Sequence, residues 1–148
     1  MSSTLPRSIR FDERVSKRLR AYVASHPGWS GSSAANLFVD EALRMEDHPG
    51  VIFRDGPAGR RAVLIAGPDV WEVIRAVKSS RATEPRLDGD KVIALVESNT
   101  GVPGRQIQTA LRYWASFPDE IDAWITEAEQ HEADALASWQ RQQDLLAK

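Results

Sequence analysis

The chain has no cysteine among its 148 residues, which excludes disulfide frameworks, thiol catalysis and cysteine-based metal sites. It also has no apolar run that approaches the length of a membrane-spanning helix. Near the N-terminus, Arg7 and Arg10 fall where the apolar core of a signal peptide would lie. Together these absences predict a cytoplasmic protein that has no membrane partner.

Catalytic motifs are also absent. The three histidines, His26, His48 and His131, stand in different segments, and "HEADA" is not the zinc-binding H-E-x-x-H pattern. The sequence has no phosphate-binding loop, no nucleophile elbow and no dinucleotide fingerprint. The carboxylates around Asp119 fall at a predicted helix start, where the helix dipole accounts for them. We therefore predict that the protein is not an enzyme and uses no cofactor and no metal.

Charge is distributed unevenly along the chain. Residues 1–44 contain seven Lys/Arg and four Asp/Glu, whereas residues 118–148 contain two Lys/Arg and eight Asp/Glu. A basic segment attracts phosphates, while an acidic segment avoids nucleic acid and suits a basic protein partner. The alternative for the acidic tail is an ordinary solvated surface.

The stretch "RSIRFD" alternates like a short strand over residues 8–11, with Ile9 and Phe11 on one face and Ser8 and Arg10 on the other. Asp12 follows as a predicted helix N-cap. A first helix to Val23 and an unusually apolar second helix over residues 31–45 come next.

One strand and two helices are too small to bury an adequate core alone. Residues 1–45 are therefore predicted to form an intertwined homodimer in which the two strands pair antiparallel. An edge strand with solvated arginines is the alternative.

The stretches "SIRFDERVSKRLRAYV", "HPGWS" and "SSAANLFVDEALR" resemble the ribbon-helix-helix family, the Arc and MetJ type of repressors and antitoxins. The resemblance covers about a third of the chain and implies that the paired ribbon lies in the major groove of a double-stranded DNA operator. It also implies that the N-terminus of the second helix binds a phosphate. By position, the resemblance assigns DNA contact to Arg7, Ser8, Arg10, Ser30, Gly31, Ser32 and Ser33.

Residues 50–125 predict a second domain. "VIFRDGPAGRRAVLI" predicts a β-hairpin, followed by a helix of about ten residues, a polar connection at 79–90 and helices over 91–98 and 105–117. The last two have helix–turn–helix spacing, although an ordinary helical hairpin is the alternative. "GVPG" is similar to the GxxG loop of KH domains, but the order of elements does not fit. The candidates for a second DNA contact are Arg105, Gln106, Gln108 and Arg112.

Two stretches, "GRRAVLIAGPDVWEVI" and "VPGRQIQTALRYWASFPDEIDAWI", resemble antitoxin-associated domains that include VapB-like antitoxins partnered with PIN-type toxins. The hairpin of this chain is longer and more basic than that pattern. The resemblance implies a winged helix–turn–helix-like domain and a toxin protein as partner.

The segment 126–148 is predicted as an acidic C-terminal helix or tail, the continuation of a helix from Asp119 whose furthest end is Leu146. Its polarity indicates that its last twenty residues are helical only against a partner. The candidate toxin-binding residues are Trp139, Leu145 and Leu146.

The predicted fold is therefore mainly α: a ribbon-helix-helix dimer, a hairpin-plus-helical domain and a long C-terminal helix. The function implied is that of a DNA-binding antitoxin of a type II toxin–antitoxin system, which represses its own transcription. A stand-alone regulator without a toxin, or a scaffold that binds no nucleic acid, are the alternatives. The operator, the toxin and any oligomer above the homodimer stay open.

Overall fold

The computed structural model describes residues 5–147, which form six helices and one two-stranded antiparallel sheet. This confirms the prediction of a mainly helical chain with a β-hairpin and a long C-terminal helix. The chain divides between Arg44 and Met45 into two compact units, here the N-terminal unit and the C-terminal unit. No helix within residues 5–147 combines the length and the apolarity that crossing a membrane requires.

The N-terminal unit contains α1 (Glu13–Ser25) and most of α2 (Gly31–Asp47). The predicted N-cap is confirmed, because the Asp12 side chain accepts a hydrogen bond of 2.9 Å from the backbone N–H of Val15. Residues 5–12 have no regular secondary structure, so the predicted strand at residues 8–11 is not formed within the single chain. That strand was predicted to bond to a second copy, and its pairing stays a prediction.

A hydrophobic core is nearly missing from the N-terminal unit. Within residues 5–44, Ala34 is the only hydrophobic residue that is buried. Tyr22 stacks on His26 with 3.9 Å between ring centroids and meets Phe38 edge-on at 4.8 Å, but both contacts lie near the surface. The two helices thus leave most of their apolar side chains accessible to water.

The C-terminal unit begins with β1 (Val51–Gly56) and β2 (Gly59–Leu64), which pair from Val51 opposite Leu64 to the turn. The hairpin prediction is confirmed. Gly59 adopts φ +129°, a conformation that an L side chain rarely takes. The helices that follow are α3 (Val70–Thr83), α4 (Gly89–Thr100), α5 (Gly104–Ser116) and α6 (Pro118–Leu146).

α3 is longer than the sequence predicted, and α6 reaches the furthest end that was predicted for it. α3 continues through Thr83 into the predicted polar connection, because Ser80 packs inward and the helix stops only just before Pro85. α6 is helical to Leu146 within one chain, so the prediction that its last twenty residues need a partner for helical order is wrong here.

The core of the C-terminal unit lies between the hairpin and helices α3–α6. Tyr113, its largest fully buried side chain, donates a hydrogen bond of 2.9 Å from its hydroxyl to Oε2 of Glu120. Fully burying a side chain such as Leu64 or Ile74 contributes about 1.5–3 kcal/mol. Trp71 and Trp114 are half-buried against this cluster.

Candidate functional site

An apolar groove of about 480 Å³ lies on the N-terminal unit. Val15 and Val39 are 43% and 47% exposed there, and Phe11 is 37% exposed. A surface on which large apolar side chains lie together is usually an interaction site and seldom an ordinary solvent-exposed surface. The residues that line this groove are Phe11, Val15, Arg18, Leu19, Tyr22, Ala35, Phe38, Val39 and Ala42.

The predicted inward face of the N-terminal strand is at the surface in the single chain. Phe11 lines the groove, and Ile9, two residues earlier, is 65% exposed. Leu43 on α2 is 61% exposed and adds to the accessible apolar area of this unit. Burying such side chains would remove a substantial apolar area from water, which is the main favourable term in most protein association.

Three of the residues that the resemblance assigns to DNA contact precede α1, and all three are exposed. Arg7, Ser8 and Arg10 stand in the irregular segment that leads into Phe11 and the Asp12 cap. Ser8 and Arg10 alternate along the chain with Ile9 and Phe11. Of this segment, Phe11 lines the groove, and residues 5–12 pair with no strand among the described residues.

The first turn of α2 contains a reciprocal pair of serines. Ser30 Oγ accepts from the backbone N–H of Ser33 at 3.0 Å, and Ser33 Oγ accepts from the backbone N–H of Ser30 at 2.9 Å. This is the arrangement of a capping box, with a serine in the place of the usual Glu or Gln.

The serine pair reduces the number of backbone amides that can bind a phosphate at this helix start. Of the four amides that a helix start leaves open, those of Ser30 and Ser33 each donate to the hydroxyl of the other serine. The amides of Gly31 and Ser32 are taken up by no hydrogen bond within residues 5–147. An anion at this helix end would therefore bind to those two amides. The three-residue spacing of Ser30 and Ser33 was the sequence signal that these two residues would cap the helix and leave only two amides for an anion.

The α4–turn–α5 segment presents three of its four candidates together. Arg105, Gln108 and Arg112 are exposed, and their spacing of three and four residues puts them on one face of α5. Gln106 does not join them. It is half-buried, and its Nε2 donates at 3.5 Å to the backbone oxygen of Ile65 in the loop after β2, which gives it a structural role.

The C-terminal part of α6 carries an exposed apolar stripe. The buried positions Ile121 and Ile125 continue, at steps of three or four residues, towards Leu136 and Trp139. Leu136 and Trp139 are each 56% exposed, and Leu145 and Leu146 are 85% and 77% exposed. The sequence reasoning missed Leu136, although its position three residues before Trp139 was visible.

An ion pair marks the end of the core contact of α6. Arg75 on α3 donates from Nη1 to Oε1 of Glu132 at 2.7 Å, and the stripe beyond Glu132 is exposed.

Within residues 5–147, no group of three His, Asp or Glu side chains is arranged to hold a metal ion. Neither a family model nor a curated protein nor a solved structure matches this chain.

Proposed function

We propose that the protein is a DNA-binding antitoxin whose N-terminal unit forms a ribbon-helix-helix homodimer. The observation that carries the proposal is the coreless N-terminal unit: among residues 5–44 one hydrophobic residue is buried, while an apolar groove stays open. A unit of this size cannot stabilise two helices unless more apolar surface is covered. A second copy offers the same surface, as a two-fold interface requires.

The short segment before α1 completes this dimer. If residues 8–11 of two chains pair antiparallel, Ile9 and Phe11 of both copies cover the two grooves. Ser8 and Arg10 then point away from the core, because successive side chains of a strand alternate between its faces. The segment needs a second copy to become a strand, which explains its irregular conformation in one chain.

A ribbon of this kind fits the major groove of DNA. Arg10 would read guanine through two parallel hydrogen bonds, and Ser8 would add a contact that can donate or accept. The amides of Gly31 and Ser32 supply a phosphate clamp at the N-terminus of α2. The excess of basic over acidic residues in residues 1–44 attracts the phosphate backbone of the DNA.

The exposed end of α6 is the candidate surface for the toxin. Residues 126–147 contain five Asp/Glu and one Arg, and the apolar stripe with Leu136 and Trp139 runs through them. This chemistry suits a basic protein with an apolar cleft, such as an enzyme that binds RNA. In this proposal that partner is a PIN-type RNase. The hairpin and α3–α5 form a winged helix–turn–helix-like domain, which in the sequence lies between the DNA-binding segment and the toxin-binding segment.

The DNA-binding part is tested by a mobility-shift titration of the full chain on the DNA upstream of its own gene. Arg10→Ala should weaken binding by about 1–3 kcal/mol and relax the preference at one base position in each half-site. Arg86→Ala, an exposed arginine of the C-terminal unit, is the matched control and should leave binding unchanged. Equal loss from both variants, or a loss that is the same on every DNA sequence, contradicts base reading by Arg10.

A further inference from the structure

A second cavity lies wholly within the C-terminal unit, between the hairpin turn, the start of α3 and the middle of α6. Its volume is about 340 Å³, at the lower end of the range for ligand pockets. That volume suits one large side chain better than a peptide. The residues that line it are Pro57, Ala58, Arg61, Asp69, Trp71, Glu72, Trp124, Glu127, Ala128 and His131.

Two tryptophans from different helices form the aromatic part of this pocket, and each is held in place. Trp71 donates from its indole Nε1 to Oδ2 of Asp69 at 3.1 Å. Trp124 lies against the hairpin turn, where a Cβ added at Gly59 would be 3.4 Å from its Cη2. Fixed indole rings are the surfaces that attract cations most strongly among side chains.

The charged groups of the pocket leave a negative excess. Arg61 forms an ion pair with Asp69, so these two charges offset each other. Glu72 accepts a hydrogen bond of 3.0 Å from the backbone N–H of Asp69, and Glu127 stands exposed at the rim. The carboxyl groups of Glu72 and Glu127 therefore stand beside the two indole rings without an arginine or lysine partner among the lining residues.

One of the two rings already lies next to a cation of the chain. The Arg75 guanidinium, which does not line the pocket, lies 5.2 Å from the centroid of the Trp71 ring. A guanidinium is planar, so it can stack flat on an aromatic face and pair with a carboxylate through two parallel hydrogen bonds, whereas an ammonium is a compact point charge without that fork.

We propose that this pocket binds an arginine side chain of a partner protein, stacked on Trp71 and Trp124 and paired with Glu127. Helix α6 contributes to the wall of the pocket and also carries the exposed apolar stripe. A protein bound along α6 would therefore contact both. The inference does not depend on DNA binding or on dimerisation of the N-terminal unit, because every residue involved belongs to the C-terminal unit.

The test uses the full-length protein and the five tryptophan indole N–H resonances, assigned with Trp71→Phe and Trp124→Phe variants. The probe is Nα-acetyl-L-arginine amide, and the isosteric neutral control is Nα-acetyl-L-citrulline amide. We expect saturable shifts of the Trp71 and Trp124 resonances with the arginine compound only. Equal shifts with citrulline, or equal shifts at Trp29, Trp114 and Trp139, overturn the proposal.

Two variants and two further probes sharpen this test. Glu127→Gln should lower the affinity for the arginine compound about 2–5-fold. Glu129→Gln, at an exposed neighbouring position outside the pocket, should leave that affinity unchanged. An acetylated Gly-Gly-Arg-Gly-Gly amide should bind at least as tightly as the single amino acid. If the peptide fails to bind, or if tetramethylammonium binds more tightly than the arginine compound, a docking site for arginine is excluded.

Discussion

Lys78 and Asp122 form an ion pair that joins α3 to α6, with 2.6 Å between Nζ and Oδ1. The same oxygen accepts from the indole Nε1 of Trp114 at 2.9 Å. The Lys78 hydrogen bond, and then that of Trp114, hold the pKa of Asp122 below its ordinary value of 3.8. The pair therefore stabilises the helical packing of the C-terminal unit in a way that depends on pH.

Asp122→Asn should lower the free energy of unfolding of the C-terminal unit by about 0.5–1 kcal/mol at pH 7, since the pair is partly exposed. A carboxyl whose pKa is lowered by folding stabilises the protein above its ordinary pKa, and this contribution disappears as the pH falls through the lowered value. The difference between wild type and variant should thus shrink below about pH 4. Urea unfolding at several pH values measures it. Glu129→Gln is the control, and a difference that does not vary with pH contradicts this role.

The turn between α4 and α5 depends on a left-handed residue. Gly101 adopts φ +75°, and a Cβ added there would meet nothing within 4 Å, so only backbone strain opposes a side chain. Gly101→Ala should lower the free energy of unfolding by about 1–2 kcal/mol. Denaturant unfolding compares it with Asn99→Ala on the exposed surface of α4, which should change stability little. Equal stability of Gly101→Ala and wild type would show that the turn relaxes.

The exposed stripe of α6 should act in partner binding and not in folding. Trp139→Ala removes a side chain that is 56% exposed, so the thermal midpoint should stay within a few degrees of wild type. Binding to the protein encoded by the adjacent gene should weaken by about 2 kcal/mol or more if Trp139 is an anchor. Isothermal titration calorimetry measures this, with Gln140→Ala as the control. Unchanged affinity in Trp139→Ala removes α6 from the proposed toxin interface.

The apolar groove should control self-association. Val39→Glu places a charge in the groove, and two-fold symmetry would repeat it in the proposed dimer. We expect the dimer to weaken by at least about 3 kcal/mol, roughly a hundredfold in its dissociation constant. Ile65→Glu, at an apolar position of the C-terminal unit that is 53% exposed, is the matched control. Light scattering behind size-exclusion chromatography compares the two variants, and a shared mass excludes the groove as the interface.

Features set by neighbouring residues were predictable from the sequence. The Asp12 cap and the hairpin around Gly59 depend on residues a few positions apart, and the structure confirms both. The end of α3 was predicted too early because Ser80 is polar in sequence but packs inward against other elements. Gln106 was placed with its polar neighbours for the same reason, since only the fold brings it to Ile65.

The pocket on the C-terminal unit could not be predicted either. Trp71 and Trp124 are 53 positions apart, so their meeting needs the packing of α3 against α6. For the N-terminal unit the limit lies elsewhere. The pattern at Ile9 and Phe11 indicates a strand, but its hydrogen bonds depend on a second chain, and the described residues offer it none.

The central claim is that two copies of this chain complete the N-terminal unit and read DNA together. Sedimentation equilibrium of the wild-type protein, alone and with the DNA upstream of its gene, tests it most directly. We predict twice the 16.5 kDa mass of one chain at micromolar concentration, and complexes that contain an even number of chains. A 16.5 kDa monomer that binds this DNA as a single chain would contradict the account.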